Sequence, residues 1–329
     1  SFQNYCTSDA QPTLTAKGTL MEYRTLGKTG LSVSEIGFGA EWIGKMSDEA
    51  IRDMITYASN HGVNIVDCWM SDPAIRDALG RGLAGIRKDW IIQGHIGSTW
   101  QNGQYVRTRD LDQVRPAFED LLTRLNTDYI DLGMIHYVDE LDEFNEIING
   151  PFMDYLRELR DTKTIGHIGL STHDVAVATQ ACLHPEIEMI MFSLNPAFDM
   201  APAQTTLDEL YASSRIDGKN NIDPDRAKLY ALAEQTNTGI TVMKGYAGGR
   251  LLDAQASPFG IALTPTQCLH YALTRPAVAS VLVGTESVEQ IAEALTYTTA
   301  SSEQRDYASA LAKAPKHAFA GQCTYCGHC

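Results

Sequence analysis

The sequence predicts an α/β protein in which eight parallel β-strands alternate with α-helices and close into a barrel. Seven short β-rich runs each stop at polar or glycine residues and lead into a helical pattern, and GFGAEW adds an eighth strand ahead of them. Parallel neighbours of this kind need a crossover connection, which is usually a helix. The count predicts a TIM (β/α)8 barrel, in which the strand C-termini form the active-site face.

Two segments lie outside the predicted barrel. Residues 1–20 are polar and without periodicity, which is typical of a tag or a disordered extension. Residues 22–34 are expected to form an N-terminal β-hairpin that turns between Gly27 and Gly30 and closes the N-terminal end of the barrel. We therefore predict a loose extension over residues 1–20, one barrel over residues 21–300, and a short Cys-rich C-terminal extension over residues 301–329.

The predicted strands are short apolar runs bounded by polar or glycine residues. They span residues 35–39, 63–67, 90–96, 130–135, 165–170, 188–194, 239–244 and 280–283. Helices are expected to begin after Ser47 and to span residues 73–83, 110–125, 152–160, 226–235 and 287–295. Ser47 is a good N-cap, and Asp48 and Glu49 suit the positive end of the helix dipole. Residues 196–221 form a long polar segment, which is a candidate lid or substrate loop.

Composition excludes several classes of protein. The chain of 329 residues is long enough for one large core, and its formal net charge of −15 disfavours a nucleic-acid partner, because binding phosphates needs clustered Lys and Arg. No run approaches the roughly 18 apolar residues of a membrane-spanning helix, and no signal peptide opens the chain. We expect a soluble, cytoplasmic protein that acts on a small molecule and binds neither nucleic acid nor membrane.

Three polar residues stand at or beside the ends of neighbouring predicted strands. They are Asp67, His95 and His136, on strands two, three and four. Since these ends adjoin in a barrel, we expect the side chains to converge on one pocket. Asp67 would fix the tautomer of His95 and favour its imidazolium, and His136 would hydrogen-bond a substrate oxygen or serve as the acid itself. A zinc site and a purely structural role are the alternatives.

The last seven residues, CTYCGHC, carry Cys323, Cys326 and Cys329. A cluster of this kind indicates a metal rather than a disulfide framework. The C-x2-C-x2-C spacing matches the first three ligands of a ferredoxin-type 4Fe-4S cluster, which would need a fourth cysteine beyond Cys329. Zinc bound with His328 is the alternative. An iron–sulfur tail would give the protein a redox partner.

Six segments in this order resemble the aldo-keto reductase superfamily, and within it the branch with an iron–sulfur tail. They are EYRTLGKTGLSVSEIGFGA, VNIVD, DYIDLGMIHYVD, IGHIGLSTHD, VMKGYAGGRL and VLVGTESVEQIAEA. The resemblance covers residues 21–329. It implies a (β/α)8 barrel that binds NAD or NADP at the strand C-termini and transfers hydride to or from a carbonyl carbon.

The resemblance also implies a catalytic Asp, Tyr, Lys and His, and this chain keeps only part of that set. Asp67 and His136 match the Asp and the His, whereas the Lys position is His95 and the Tyr position is Asp72. The usual reduction depends on a Tyr that protonates the carbonyl oxygen, so we expect His95 and His136 to replace it. Asp72 precedes Pro73 and is equally suited to cap the second helix.

A nucleotide site is implied at the ends of strands five to eight. The residues that match it are Ser171, Thr172, Asn195, Met243, Lys244, Gly245, Gly284, Thr285, Gln290 and Glu293. Backbone amides at a helix start suit a pyrophosphate. Glu286 stands where the family often has a small or basic residue, and Ala294 replaces an Asn. An acid at that place favours a ribose hydroxyl over a 2′-phosphate, so we expect NAD to bind at least as well as NADP.

Three functions follow from these patterns. The first is an NAD(P)-linked oxidoreductase of aldo-keto reductase type acting on a carbonyl or hydroxyl of a sugar-like or small polar substrate. The second is an elimination or isomerisation that uses the two histidines and a tightly held nicotinamide cofactor. The third is a barrel that binds a ligand without catalysis. Nucleotide binding and turnover distinguish the three.

Overall fold

The computed structural model describes residues 20–212 and 222–314. Its centre is a closed barrel of eight parallel strands, as predicted. In chain order these strands are β3 (Ile36–Gly39), β4 (Ile65–Cys68), β5 (Ile91–Ile96), β8 (Ile130–Ile135), β9 (Ile165–Thr172), β10 (Met189–Ser193), β11 (Gly239–Met243) and β12 (Val278–Gly284). Each pairs with the next, and β12 pairs with β3 to close the ring.

An antiparallel hairpin of β1 (Tyr23–Thr25) and β2 (Ser32–Ser34) precedes the barrel, as predicted. Gly27 has φ of +51° and lies so close to the start of β11 that a Cβ there would be 2.1 Å from the amide nitrogen of Gly239. Only glycine permits both this conformation and this approach. The hairpin thus lies against the N-terminal ends of the strands and leaves their C-terminal ends open.

The barrel interior holds a small apolar core separate from the larger core between strands and helices. Its buried members are Leu26, Val33, Ile65, Leu132, Met134, Met189, Met191, Ala279 and Leu282. The hairpin supplies Leu26 and Val33 to this core. Polar side chains begin above it, toward the C-terminal face.

The helices surround the barrel. They are α1 (Asp48–Asn60), α2 (Pro73–Gly82), α3 (Leu111–Arg124), α4 (Leu141–Ile148), α5 (Pro151–Asp161), α6 (Val175–Leu183), α7 (Pro196–Asp199), α8 (Leu207–Ala212), α9 (Pro224–Gln235), α10 (Pro265–Leu273), α11 (Val288–Leu295), α12 (Ser302–Arg305) and α13 (Tyr307–Ala312). Ser47 caps α1 by accepting from the amide of Ala50 at 3.2 Å. No described helix is long and apolar enough to span a bilayer.

Several elements depart from the sequence predictions. Helices α4, α6 and α10 were not delimited, and α6 and α10 are largely buried, so neither shows a clear polar face. The segment predicted as a long polar loop contains α7 and α8, while residues 213–221 lie outside the described part. Residues 301–314, predicted as part of the extension, form α12 and α13, which pack on α10. The Tyr307 hydroxyl accepts from Arg275, just after α10, at 2.8 Å.

A second hairpin, absent from the predictions, follows β5. It consists of β6 (Ser98–Gln101) and β7 (Gln104–Arg107), and Trp100 pairs with Tyr105 across it. Asn102 and Gly103 form the turn with φ of +52° and +78°. Asn-Gly is the dipeptide that two-residue hairpins prefer, because both turn residues need positive φ. This insertion places new side chains above the C-terminal face of the barrel.

Candidate active site

A cavity of about 790 Å³ lies at the C-terminal face of the barrel. Eleven of the predicted site residues line it: Asp67, His95, His136, Ser171, Met243, Lys244, Gly245, Gly284, Thr285, Gln290 and Glu293. Aromatic side chains that the sequence analysis did not single out also line it, namely Trp42, Trp69, Tyr105, Tyr137 and Tyr246. Its volume lies within the range of small-molecule and cofactor sites.

Asp67, His95 and His136 form one continuous hydrogen-bonded cluster. They come from β4, β5 and the residue after β8, and these strands are neighbours in the barrel. The Asp67 carboxylate lies 2.9 Å from His95 Nε2, and His95 Nδ1 lies 2.8 Å from His136 Nδ1. All three side chains are at least 95% buried. The three predicted residues therefore meet at one site, as the strand order requires.

Tyr105 of the inserted hairpin extends this cluster by one member. Its hydroxyl lies 2.6 Å from His136 Nε2. Trp69 stacks on the His136 ring with centroids 5.9 Å apart and an angle of 6°, and it meets the Tyr105 ring edge-on at 5.5 Å. The family pattern does not point to Tyr105. The Asn-Gly dipeptide at 102–103 is the sequence feature from which its hairpin could have been predicted.

The inner end of the cluster is fixed by Gln93. Its amide nitrogen donates to Asp67 Oδ1 at 2.7 Å, and its amide oxygen accepts from the Thr241 hydroxyl at 3.0 Å. Both Gln93 and Thr241 are fully buried. Because an ionised carboxylate only accepts hydrogen bonds, the Gln93 nitrogen faces Asp67, and the amide oxygen is left to accept from Thr241. Asp67 therefore serves as a hydrogen-bond acceptor inside the barrel.

The environment controls the charge of the outer members. Burial lowers the pKa of His136 well below its usual value, and His95, Arg109 and Arg107 lower it further. Burial likewise raises the pKa of the Tyr105 hydroxyl, with the two arginines opposing the shift. Arg109 also donates to the backbone oxygen of His136 at 2.6 Å and so holds the end of β8 in place. Both His136 and Tyr105 are thus neutral near pH 7.

Asp72, at the position where the resemblance puts a tyrosine, is a helix cap. Its carboxylate accepts from the amide of Ala74 at 2.8 Å at the start of α2, and it does not line the cavity. The neighbouring Ser71 is buried and donates to the Thr99 oxygen at 2.6 Å. The capping alternative is therefore the one that the geometry supports.

Two predicted nucleotide-binding residues lie outside the cavity. The Thr172 hydroxyl donates to Asp139 at 3.0 Å. Asn195 is fully buried, caps α7 by accepting from two amides, and donates to the Lys244 oxygen at 3.0 Å. Their side chains hold the ends of β9 and β10, so both residues have structural partners in addition to the ligand contact that the sequence predicts. The sequence could not separate these roles, because both are polar residues at strand ends.

The remaining nucleotide-site residues form a cradle suited to a long polar ligand. Gly39 and Gly284 come so close that a Cβ at Gly39 would lie 3.2 Å from the Gly284 amide. Trp42, which is 55% exposed, lies over Gly284. Gln290 accepts from the amide of Glu286 at 2.8 Å at the start of α11. Backbone amides, a helix start and glycines are the groups that bind nucleotide phosphates.

Charges of both signs line this part of the cavity. Burial lowers the pKa of Lys244, and the carboxylate of Glu41 partly opposes the shift. Burial raises the pKa of Glu41, against the influence of Lys244 and of a hydrogen bond from the Trp69 side chain. Glu286 and Glu293 are exposed at the far end. Lys244 therefore suits a phosphate, whereas the two exposed acids suit hydroxyl groups.

The geometry does not support a zinc site at the histidines. In His95 and His136 the two Nδ1 atoms face each other at hydrogen-bond distance, so they do not converge on a common point. Across residues 20–212 and 222–314, no group of three or more His, Cys, Asp or Glu side chains could hold a metal ion. The predicted ligands Cys323, Cys326 and Cys329 lie outside the described residues.

Comparisons with known proteins agree on one family. The sequence pattern of the Aldo/keto reductase family matches residues 35–254, which is more than half of the chain. The chain is 26% identical to the uncharacterized oxidoreductase YqkF of Bacillus subtilis over 83% of this chain and 90% of YqkF. It is 25% identical to L-galactose dehydrogenase of Arabidopsis thaliana over 84% and 87% of the two chains.

A solved structure agrees in fold. Aldo-keto reductase AKR11C1 from Bacillus halodurans, in its holo form, superposes with a TM-score of 0.68 at 21% identity over 92% of this chain and 99% of that one. At this level of identity the likeness concerns the fold rather than the site.

Proposed function

Since the chain belongs to the aldo/keto reductase family and is an oxidoreductase of that family, we propose that it transfers hydride between NAD(P) and a carbonyl or hydroxyl of a small, polar, sugar-like substrate. The observation that carries the proposal is that one cavity joins the nucleotide cradle to the Asp67–His95–His136 cluster. The L-galactose dehydrogenase relative supports a sugar-like substrate.

We propose that strands β9 to β12 hold the nicotinamide nucleotide. Met243 and Ser171 line the cavity on the side of the histidine cluster, and Met243 offers a soft apolar contact for a flat ring. Lys244 and the amides around Gly284 and Thr285 would bind the phosphates. When bound in its reduced form, the nucleotide supplies the hydride.

The chain's own residues supply the proton and exclude water. A histidine beside a buried carboxylate is suited to general acid–base catalysis near neutral pH. Trp69 covers the His136 ring, and Trp42 lies at the nucleotide end. The cluster that contains His95 and His136 therefore carries out the proton transfer that the tyrosine and lysine perform in the usual family pattern.

We also propose, on the basis of their spacing alone, that Cys323, Cys326 and Cys329 are three of the four ligands of a 4Fe-4S cluster in a chain that continues to a fourth cysteine beyond Cys329. Iron and sulfide analysis of anaerobically reconstituted protein tests this. The proposal would be contradicted if the iron and sulfide content corresponded to less than one cluster per chain and if Cys326→Ser left that content unchanged. A bound cluster would pass electrons to a redox partner.

The proposed oxidoreductase activity is tested by nucleotide titration and turnover. Calorimetric titration with NADH and NADPH should show binding of both, with NADH at least as tight because Glu286 opposes a 2′-phosphate. Reduction of 4-nitrobenzaldehyde and glyceraldehyde is then followed by loss of the reduced nucleotide. A nucleotide that stays bound through purification but does not reduce added carbonyls would favour elimination or isomerisation. Failure to bind either nucleotide would favour a non-catalytic barrel.

A further inference from the structure

Tyr105 belongs to the hydrogen-bonded cluster but lies on the inserted hairpin and not on a barrel strand. Its hydroxyl reaches the cavity from there. It lies on β7, half-buried, and lines the cavity beside Trp69. Its ring position is set by the cross-strand pairing with Trp100 and by the edge-on contact with Trp69 at 5.5 Å. A tyrosine held in this way can present its hydroxyl to a substrate with little loss of side-chain freedom.

Neither histidine has a ring nitrogen left for a substrate. His95 uses Nε2 on Asp67 and Nδ1 on His136, while His136 uses Nδ1 on His95 and Nε2 on Tyr105. Both rings are almost fully buried. A substrate oxygen therefore cannot bond either imidazole without displacing a member of the cluster. The Tyr105 hydroxyl can both donate and accept, so it has capacity for one more partner.

The hydrogen bonds have a determined direction when both histidines are neutral. Gln93 already donates to Asp67, so the carboxylate also accepts from His95 Nε2–H. The free Nδ1 of His95 then accepts from His136 Nδ1–H, which leaves His136 Nε2 to accept from the Tyr105 hydroxyl. If His95 takes up a second proton, its Nδ1 becomes a donor and the bonds along His136 and Tyr105 reverse. Tyr105 then points its proton into the cavity.

We infer that Tyr105 is the residue that exchanges the proton with the substrate oxygen, and that His136 and His95 relay that proton to and from the site beside Asp67. The inference rests on the proposed oxidoreductase function. It assigns a catalytic residue to the inserted hairpin, in place of a tyrosine at position 72. His95 and His136 become positioning residues that act through Tyr105.

The proton step balances in both directions. In reduction, the carbonyl carbon accepts the hydride supplied by the reduced nicotinamide, and the C=O π electrons move to the oxygen. That oxygen takes the proton of the Tyr105 hydroxyl, Tyr105 takes the Nε2 proton of His136, and His136 Nδ1 takes the Nδ1 proton of His95. The histidine pair ends one proton poorer and neutral beside ionised Asp67. Oxidation of an alcohol runs the same transfers in reverse, and solvent resets the pair.

The test is Tyr105→Phe, with Gln104→Ala as the matched control. Gln104 is exposed on the same strand, so the control perturbs the hairpin without touching the cluster. Reduction of 4-nitrobenzaldehyde, with NADH binding measured by calorimetry on the same samples, gives the readout. We expect Tyr105→Phe to lower kcat by about 10²–10⁴-fold, the usual contribution of general acid catalysis. The Kd for NADH should change less than about twofold, because the phosphate contacts lie on β11 and β12.

The outcomes separate this inference from the proposed function. A loss of kcat in Tyr105→Phe with NADH affinity and thermal stability retained, and with Gln104→Ala at the wild-type rate, supports the assignment. A wild-type rate in Tyr105→Phe overturns it while leaving the oxidoreductase proposal intact. An equal loss of kcat in Tyr105→Phe and Gln104→Ala overturns it too. Turnover would then depend on the position of the hairpin and not on the Tyr105 hydroxyl. Wild-type protein that binds NADH but reduces no carbonyl overturns the proposed function and the assignment with it.

Discussion

Two networks of buried polar side chains each surround one aspartate. They differ in whether the partners of the aspartate can exchange protons. Asp67 is bonded to the histidine pair, and the network ends at the cavity through Tyr105. Asp199 is fully buried and is bonded to Arg226 at 3.3 Å and to the hydroxyls of two tyrosines. Neither Asp199 nor any of these three partners is among the described residues that line the cavity.

The partners of Asp199 hold their protons at any pH that the fold survives. Arg226 is always charged. Burial and the neighbouring Asp199 raise the pKa of Tyr230 and Tyr271 well above the usual value. The partners of Asp67, by contrast, include two imidazoles, which can each exist in a neutral or a protonated form. The difference teaches that a buried carboxylate indicates catalysis only when its partners can titrate and one of them faces a ligand space.

The largest expected effect is on turnover, from His95→Gln. Glutamine keeps the bulk and some hydrogen bonding but cannot carry the proton, so kcat for carbonyl reduction should fall by about 10²–10⁴-fold. The pH dependence of kcat/KM should also differ from that of the wild type, which a purely structural role would not produce. His61→Gln, at the end of α1 and away from the cavity, is the matched control. Near-normal turnover in His95→Gln would remove His95 from the relay.

The second effect is on stability, from Asp199→Asn. The change leaves the charge of Arg226 buried without its carboxylate, and removing one partner of a buried pair costs about 3–5 kcal/mol. Urea unfolding should show this loss, while kcat of the folded protein stays at the wild-type value. Asp225→Asn, which breaks an exposed pair with Lys228, should leave the urea midpoint close to the wild-type value, because exposed ion pairs contribute little to stability. A loss of kcat without a loss of stability in Asp199→Asn would show that the two networks are not distinct.

The third and smallest effect concerns pH. The pKa of His136 is lower in the folded than in the unfolded protein, so the unfolded state binds more protons as the pH falls. His136 therefore does not change the free energy of unfolding above about pH 6.5. Below that pH it lowers the free energy of unfolding, by up to about 1.4 kcal/mol per pH unit. Urea unfolding of the wild type and of His136→Gln, between about pH 7.5 and about pH 5.5, gives the slope of the unfolding free energy against pH for each protein. The wild type should lose stability more steeply as the pH falls. Equal slopes would contradict a neutral, buried His136.

The strand ends were predictable because parallel strands with an alternating helix pattern fix both their number and their order. β8 was predicted with its observed bounds, and Asp67, His95 and His136 were placed at adjoining ends. Helices such as α6 and α10 were missed because a helix buried on most sides has no amphipathic period.

Tyr105 shows where sequence reasoning stops. Its hairpin was readable from the Asn-Gly turn, but the approach of its hydroxyl to His136 depends on how the hairpin folds back over the barrel. Thr172 and Asn195 show the same limit, since a polar residue at a strand end can face a ligand or cap a neighbouring element. Side-chain direction at loop positions comes from tertiary packing.

The most direct test of the relay is the location of its hydrogens in a neutron structure of crystals held at about pH 8, above the ordinary pKa of a histidine. The relay predicts hydrogen on Nε2 of His95 and on Nδ1 of His136. It also predicts that the Tyr105 hydroxyl hydrogen is directed at His136 Nε2 and that Asp67 is unprotonated. Hydrogen on Nε2 of a neutral His136, or on the carboxyl of Asp67, would contradict the relay.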